Sequence, residues 1–449
     1  MLINPYNFTR PVTNPNMFFG RTELVEKLMQ GLTSDAPSSF AVYGGRRMGK
    51  TSLMRMLEHQ LNHRLDAATQ PIVVPLYVDF QFYPPQSPAE FFQRLLGRLL
   101  EWQESTIGEI DPLPPVREDA PAPSFAVAFL ELFRRAHPKL GGIKLALLLD
   151  ESEKLQRAPW AHDLDDNLRA LLTNVPGVTG HLGLVLAGAT DLYTDMVADH
   201  FGSPLRNVLD EEIKMSACSS EEMLRLIQEP TNNQVPANAV DEVIRQAGGH
   251  LFMGQFLMHH LWNEHWEQAT VELVQETAAE FPEKRRDFER WLEALGETGM
   301  RVYAEIIQHD YPLSRTQLNN LPDLDFLSVS SALDSLIFHG LITGERRQYT
   351  WSGEMFRSWF LNNVMPSITS SSVSQPKTVD STVLIEKIVD HFSESELQEL
   401  CLELMVDYET LGGPGKRDRA RELVSYLKRR GREAELVETC QRLRPHVSW

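Results

Sequence analysis

The chain has 449 residues, 43 basic against 62 acidic side chains, a net charge of −19 and 42% hydrophobic residues. That length asks for roughly three or four folded units, and the acidic balance works against broad non-specific binding to nucleic acid or to an anionic membrane surface unless a local basic patch supplies it. Cys218, Cys401 and Cys440 have neither the number nor the spacing of a disulfide framework or a zinc site, no apolar run nears the roughly 18 residues of a spanning helix, and "MLINPYNFTRPVTNP" lacks the pattern of a signal peptide. A cytoplasmic protein in a reducing compartment is expected.

Residues 1–35 precede the first strand. From 36 to 215 short aliphatic runs alternate with helical patterns, which is how a parallel α/β sheet reads. The strand candidates are "FAVYG", "PIVVPLYVDF", "KLALLLD", "LGLVLAG" and "EIKM". Those in the middle are apolar on both faces, so both sides of the sheet are covered. The proline-rich stretch Gly108–Pro123 is expected as a surface loop.

The first strand runs into "GGRRMGKT" and then into the helical "TSLMRMLEHQL". Strand, glycine loop and helix N-terminus are the three parts a phosphate site needs. Gly44, Gly45, Arg46, Arg47, Met48, Gly49, Lys50, Thr51 and Ser52 therefore form the candidate cradle. Lys50 is expected on the β- and γ-phosphates, and the Thr51 hydroxyl on Mg²⁺. Arg46 and Arg47 either reach phosphate or face solvent. "KLALLLDESEKL" supplies the second metal-side carboxylate, Asp150, at a strand end, with Glu151 placed to polarise the attacking water. Two motifs in this order point to ATP with Mg²⁺, and the acidic pair points to hydrolysis. Thr190, at the tip of "LGLVLAGATDLY", is the candidate γ-phosphate sensor, and Arg206 in "SPLRNVLD" the candidate arginine finger.

After "SACSSEEM" a helical lid is expected over 216–291. Its histidines His259, His260 and His265 lack the HExxH order of a metal site and read as ordinary lid residues. Residues 292–364 give short helices and a hairpin around "GERRQ", the order of a winged helix. The candidate recognition segment "SVSSALDSLIFHG" has no arginine or lysine, which disfavours DNA. A Ser/Thr/Pro-rich linker follows over 365–382, and residues 383–449 form a compact helical unit.

That last unit contains "TLGGPGKRDR", which mimics a phosphate loop. Thr410 stands where its first glycine should be, Arg417 where the hydroxyl should be, and a helical pattern precedes it, so it is not a nucleotide site. Residues 386–409 are mostly acidic and 416–432 mostly basic. Such halves either dock a like module through complementary fields or form a solvated surface whose charges sort by chance or pair internally.

"NPYNFTRPVTNPNMFFGRTELVEKL" ahead of the phosphate loop resembles the entry segment of the archaeal-ATPase and STAND branch of AAA+-related NTPases, a resemblance covering residues 4 to about 360. It implies that Phe19, Gly20 and Arg21 fold over the adenine. "AGGHLFMGQFLMHHLW" is similar to the "GGHP" opening of that family's lid, with Leu251 in place of the proline after Gly249 and His250. "FSESELQELCLELMVDYETLGGPGKRDRARELVSYLKRRGREAELVETCQRLRP" resembles the prokaryotic effector-associated domains, helical modules of the death-like class. The resemblances imply an additional-strand P-loop ATPase core, helical lid, winged helix and small all-α domain. They also imply a signalling switch, with slow regulatory hydrolysis, that opens or oligomerises on ATP and recruits a separate effector carrying a like domain, as in prokaryotic defence. Two rivals remain: a DNA-acting AAA+ ATPase of origin-recognition or transposition-helper type, and a nucleotide-binding adaptor with little turnover.

Overall fold

The computed structural model describes residues 3–63, 72–81, 84–108, 111–189, 192, 204–368, 381–404, 406, 408, 411–412, 415–429, 432–444 and 447. The chain divides into two compact units, Met1–Met365 and Pro366–Trp449.

The first unit is built on β1 (Ser39–Tyr43), β2 (Ile72–Asp79), β3 (Ile143–Asp150), β4 (Leu182–Gly188) and β5 (Glu211–Lys214). All are parallel, in the order β2-β3-β4-β1-β5. β4 thus separates the strand before the glycine loop from the strand ending in Asp150, as the additional-strand pattern requires. Every residue of β1, β3 and β4 is buried, because helices cover both faces. Strand alternation sends Phe40 and Val42 to the face covered by α1 (Thr22–Thr33) and α2 (Lys50–His63). Ala41 and Tyr43 point to the other, covered by α3 (Pro88–Trp102), α4 (Pro121–Leu140) and, beyond the short α5 (Glu153–Gln156), α6 (Ala161–Thr173). Local signals agree with these bounds. The Ser87 hydroxyl caps α3 ahead of Pro88, and left-handed Gly141 ends α4. The stretch Gly108–Pro123 is irregular as far as it is described, but Pro121 already opens α4, and Leu113 and Val116 are buried.

Next come α7 (Ser220–Gln228), opened by a Ser219–Glu222 capping box, α8 (Ala237–Ala247), α9 (Leu251–Asn263) and α10 (Val271–Lys284). α11 (Asp287–Ile307) bends at Gly296, φ 62°, so one helical run crosses the boundary expected at 291–292. β6 (Leu313–Ser314), α12 (Arg315–Leu318), α13 (Phe326–Phe338), β7 (Ile342–Glu345), β8 (Gln348–Trp351) and α14 (Glu354–Asn363) complete the unit. β6, β8 and β7 form a small antiparallel sheet. Its hairpin tip holds Arg346 and Arg347 at φ 50° and 65°, the primed turn that the right-handed strand twist favours.

The second unit comprises α15 (Ser381–His391), α16 (Glu394–Glu403), α17 (Lys416–Arg429) and α18 (Glu433–Leu443) around a core that includes Leu384, Ile388, Leu400, Cys401, Leu423 and Cys440. Of the expected linker, 365–368 are helical, 381 and 382 open α15, and the rest lies outside the described residues. Two charges of the basic half meet the acidic half inside this unit, Arg419 with Glu394 at 3.6 Å and Arg417 with Glu386 at 3.6 Å, while Arg444, beyond the basic half, pairs with Glu396 at 2.6 Å. Internal pairing, one of the expected fates of the charge pattern, thus takes up part of it.

No helix among the described residues is long and apolar enough to cross a membrane.

Candidate functional site

The parallel sheet sends the ends of β1, β3 and β4 to one edge, and the loop between β1 and α2 lies there. Gly49 sits at φ +90° with open space where a side chain would stand, and Arg47 is also left-handed, φ 72°. These conformations turn the loop around the N-terminus of α2, whose dipole favours an anion. The buried Lys50 ammonium donates to the carbonyls of Gly44, 2.7 Å, and Gly45, 3.1 Å. Burial lowers its pKa, against the pull of Glu153, Glu151 and Asp150.

Asp150 ends β3 fully buried. It is hydrogen-bonded to Thr51, accepts the Tyr77 hydroxyl at 3.2 Å and takes the Glu151 amide at 3.0 Å. Burial raises its pKa. Glu151 is held at φ 57°, a strained setting of the kind concentrated at functional sites. Its carboxyl is pushed up to about 7, first by burial and next by Glu153. Glu153 escaped the sequence reading. It is buried, hydrogen-bonds Glu151, and accepts the Ala189 amide at 3.2 Å, joining the acidic strand end to the tip of β4. Gly188 makes room for it, since a Cβ there would lie 2.7 Å from Glu153 Oε2. The only local signal was a third carboxylate two residues beyond Glu151.

Gly49, Lys50, Thr51, Glu151 and Glu153 line a cavity of about 670 Å³, a volume typical of small-molecule sites. The N-terminal segment crosses it as a strap. The Val12 amide donates to the Ser52 hydroxyl at 2.9 Å, while Tyr6 is tied to α7 and α9 through the Leu226, Ile227 and His259 backbone and side-chain groups. Phe8 packs edge-on against Phe256 and His259. His259 and His260 therefore hold the strap and the lid, each through a backbone carbonyl. Phe19 is buried in the wall. Gly20, φ +75°, lies so close to Leu251 that a Cβ would come within 2.8 Å of it. Arg21 is half-buried and bonded to the Gly20 and Ser216 carbonyls. Gly249 accepts the Cys218 amide at 2.9 Å, and His250 stacks on Trp291 with neither ring nitrogen partnered and its pKa pushed down to about 3 by burial. One turn beyond Leu251, Gln255 enters the wall with its Oε1 buried and unpartnered.

The two loop arginines part company. Arg46 is exposed in the cavity wall, whereas Arg47 pairs with the buried Asp287 at 3.3 Å and lies over the Phe252 ring. Arg206 pairs with Glu212 of β5 at 2.8 Å and does not line the cavity. Thr190 lies outside the described residues. A contact that no local pattern announced comes from α13. The carbonyl of its last residue, Phe338, accepts the Gly45 amide at 2.7 Å, and His339 packs on Gly45.

A glycine loop at a helix N-terminus, a buried lysine, and a carboxylate on the far side of an intervening strand define a P-loop NTPase of the additional-strand class. The model of novel STAND NTPase 1 matches residues 8–317, and the chain belongs to that family. Residues 384–445 match effector-associated domain 7. Among solved structures, the Walker-type ATPase PABY2304 of Pyrococcus abyssi is similar in fold at 18% identity, with a TM-score of 0.50 over 78% of this chain and 98% of its own. The Aeropyrum pernix ORC2 protein, solved as ADPNP–ADP complexes, follows at 14% identity and a TM-score of 0.47 over 81% and 99%. The RuvB Holliday junction branch migration motor of Thermotoga maritima gives 14% and 0.35 over 79% and 98%. No curated protein matches the chain.

Proposed function

We propose that the chain is a cytoplasmic, ATP-dependent signalling switch whose nucleotide controls the docking of α13 on the P-loop. The observation that carries this reading is the Gly45–Phe338 hydrogen bond. It occupies a loop amide and brings the negative end of the α13 dipole against an anion-binding loop. A diphosphate can share the loop with that helix end more readily than a triphosphate, whose added charge is repelled and competes for the same amide. ADP then favours the docked arrangement and ATP the released one, and only such a difference in affinity lets a ligand move the equilibrium.

Within the site, Lys50 would leave the Gly44 and Gly45 carbonyls for phosphate oxygens. Mg²⁺, if bound, would supply positive charge against the phosphates. The Thr51 hydroxyl and Asp150 carboxylate, already joined, are the groups suited to hold it. Glu151 is the candidate general base that takes the proton of the attacking water, with Glu153 and the Ala189 amide fixing its position. Thr190 remains the candidate γ-phosphate sensor. Arg206 does not line this cavity, so as an arginine finger it would act on a neighbouring copy. Gln255 offers a buried amide to the base edge, where adenine presents a donor beside an acceptor. Hydrolysis would be slow and serve to reset the switch. We read the β6–β8–β7 unit as a winged helix that transmits this state. Its α13 exposes Phe326 and Leu327 and carries no cation, which supports a protein rather than a DNA partner. The C-terminal helical unit, of the death-like class, would recruit an effector with a like domain, in prokaryotic defence.

Light-scattering mass of the full chain with ADP, with ATP and in Lys50→Ala tests this. A larger species with ATP alone, absent in the variant, supports the switch, and identical masses in all three would defeat it.

A further inference from the structure

The loop segment Gly45–Arg46 also borders a second cavity, of about 730 Å³, walled by α11 and α13. Arg46 borders both cavities. Across from it α11 brings a second exposed guanidinium, Arg290, to the rim. Deeper in the wall the Trp291 indole N–H and the Ser335 hydroxyl are buried with no hydrogen-bond partner, a costly state for polar atoms. Ser331 adds a hydroxyl at the surface and Glu293 an acceptor. His339, in the same wall, is kept neutral at ordinary pH because burial lowers its pKa. Two arginines against one carboxylate leave the lining net positive.

We infer that this cavity binds a phosphorylated, hydroxyl-bearing small molecule, a sugar phosphate by class, distinct from the nucleotide on the P-loop. Two guanidinia from different elements suit a multiply charged phosphate better than a single carboxylate. The serine hydroxyls and Glu293 suit the hydroxyls of its body. The ligand would touch Arg46 of the loop and the face of α13 at once, so it binds the docked arrangement in preference to the released one. Reciprocity then makes it slow the loss of ADP, and makes ADP tighten its own binding.

Calorimetry on the full chain saturated with ADP and Mg²⁺, using ribose 5-phosphate as probe and ribose and inorganic phosphate as separate arms, tests the assignment. The expected result is one equivalent of ribose 5-phosphate per chain, weakened about tenfold or more by Arg290→Glu, which reverses a charge at the rim, and by Ser331→Phe, which fills the mouth. Both positions are exposed, and ADP affinity is expected to stay unchanged in both variants. Absence of binding, or binding unaltered by either substitution, overturns the inference. So does binding that survives both and disappears in Lys50→Ala, which would place the probe on the P-loop. Inorganic phosphate binding as tightly as ribose 5-phosphate would overturn the hydroxyl-bearing class. ADP binding measured in the same series reports separately on the nucleotide site.

Discussion

The chain carries two glycine–lysine turns, and their lysines are put to opposite uses. Lys50 is buried beneath its own loop, with Glu153, Glu151 and Asp150 pulling on its charge and an open glycine in front of it. Lys416 begins α17 and donates to the Phe392 carbonyl at 3.0 Å, tying the end of one helix to the start of another. The letters already set the two apart, since Thr410 and Arg417 stand where a phosphate loop has its first glycine and its hydroxyl. In the fold the difference comes from a parallel strand that delivers the first loop to a sheet edge where other strands bring carboxylates. The second follows a helix, so its lysine meets a helix end instead.

The sharpest way to break this contrast is to remove each lysine. Lys50→Ala is expected to weaken ATP binding about 100-fold, near the roughly 3 kcal/mol upper range for a charged hydrogen bond, while Lys416→Ala leaves it unchanged in calorimetry. Equal losses would erase the distinction. Glu151→Gln is next, with steady-state turnover down on the order of 10²-fold and ATP binding retained. Unaltered turnover would favour the adaptor reading, in which the chain binds nucleotide without hydrolysing it. Gln255→Leu should reduce the preference for ATP over GTP about tenfold, since a buried amide contact is worth roughly 1–3 kcal/mol, and competition binding reads this out.

A smaller effect separates the two units by pH. His250 has its folded pKa pushed down to about 3 from 6.5, so between those values the unfolded chain binds a proton that the folded one refuses. The stability of the first unit therefore falls as pH drops through 6.5. Thermal melts of wild type and His250→Phe should show a shallower acid slope in the variant. Glu396 lies in the second unit beside Arg444 and the Ser393 amide, and its pKa is lowered from 4.5. Its contribution is lost only at more acid pH. The smallest effect is expected from Arg417→Glu, whose exposed partner Glu386 stands at 3.6 Å. Such pairs contribute about 0–1 kcal/mol, so a shift of a few degrees at most is expected in the melt of the second unit.

The sheet, the P-loop and the Asp150–Glu151 pair were legible because each is local: an apolar run of strand length, a turn of fixed spacing, an acid at a strand end. The fate of Arg47 was not, because Asp287 lies 240 residues away. Glu153 looked like an ordinary helix-opening carboxylate until β4 brought the Ala189 amide to it. The docking of Phe338 on Gly45 left no trace in either segment, since a backbone carbonyl and a backbone amide carry no side-chain signature. The acidic and basic halves of the second unit were plain in the sequence. Their pairing within it was not, because composition does not say which helix faces which.

Hydrogen–deuterium exchange at the Gly45 amide and across the segment 336–341, compared between ADP and a non-hydrolysable ATP analogue with Mg²⁺, bears most directly on the switch. Protection of both with ADP and faster exchange of 336–341 with the analogue is the predicted result. Equal protection of that segment in the two nucleotide states would contradict control of α13 by the P-loop.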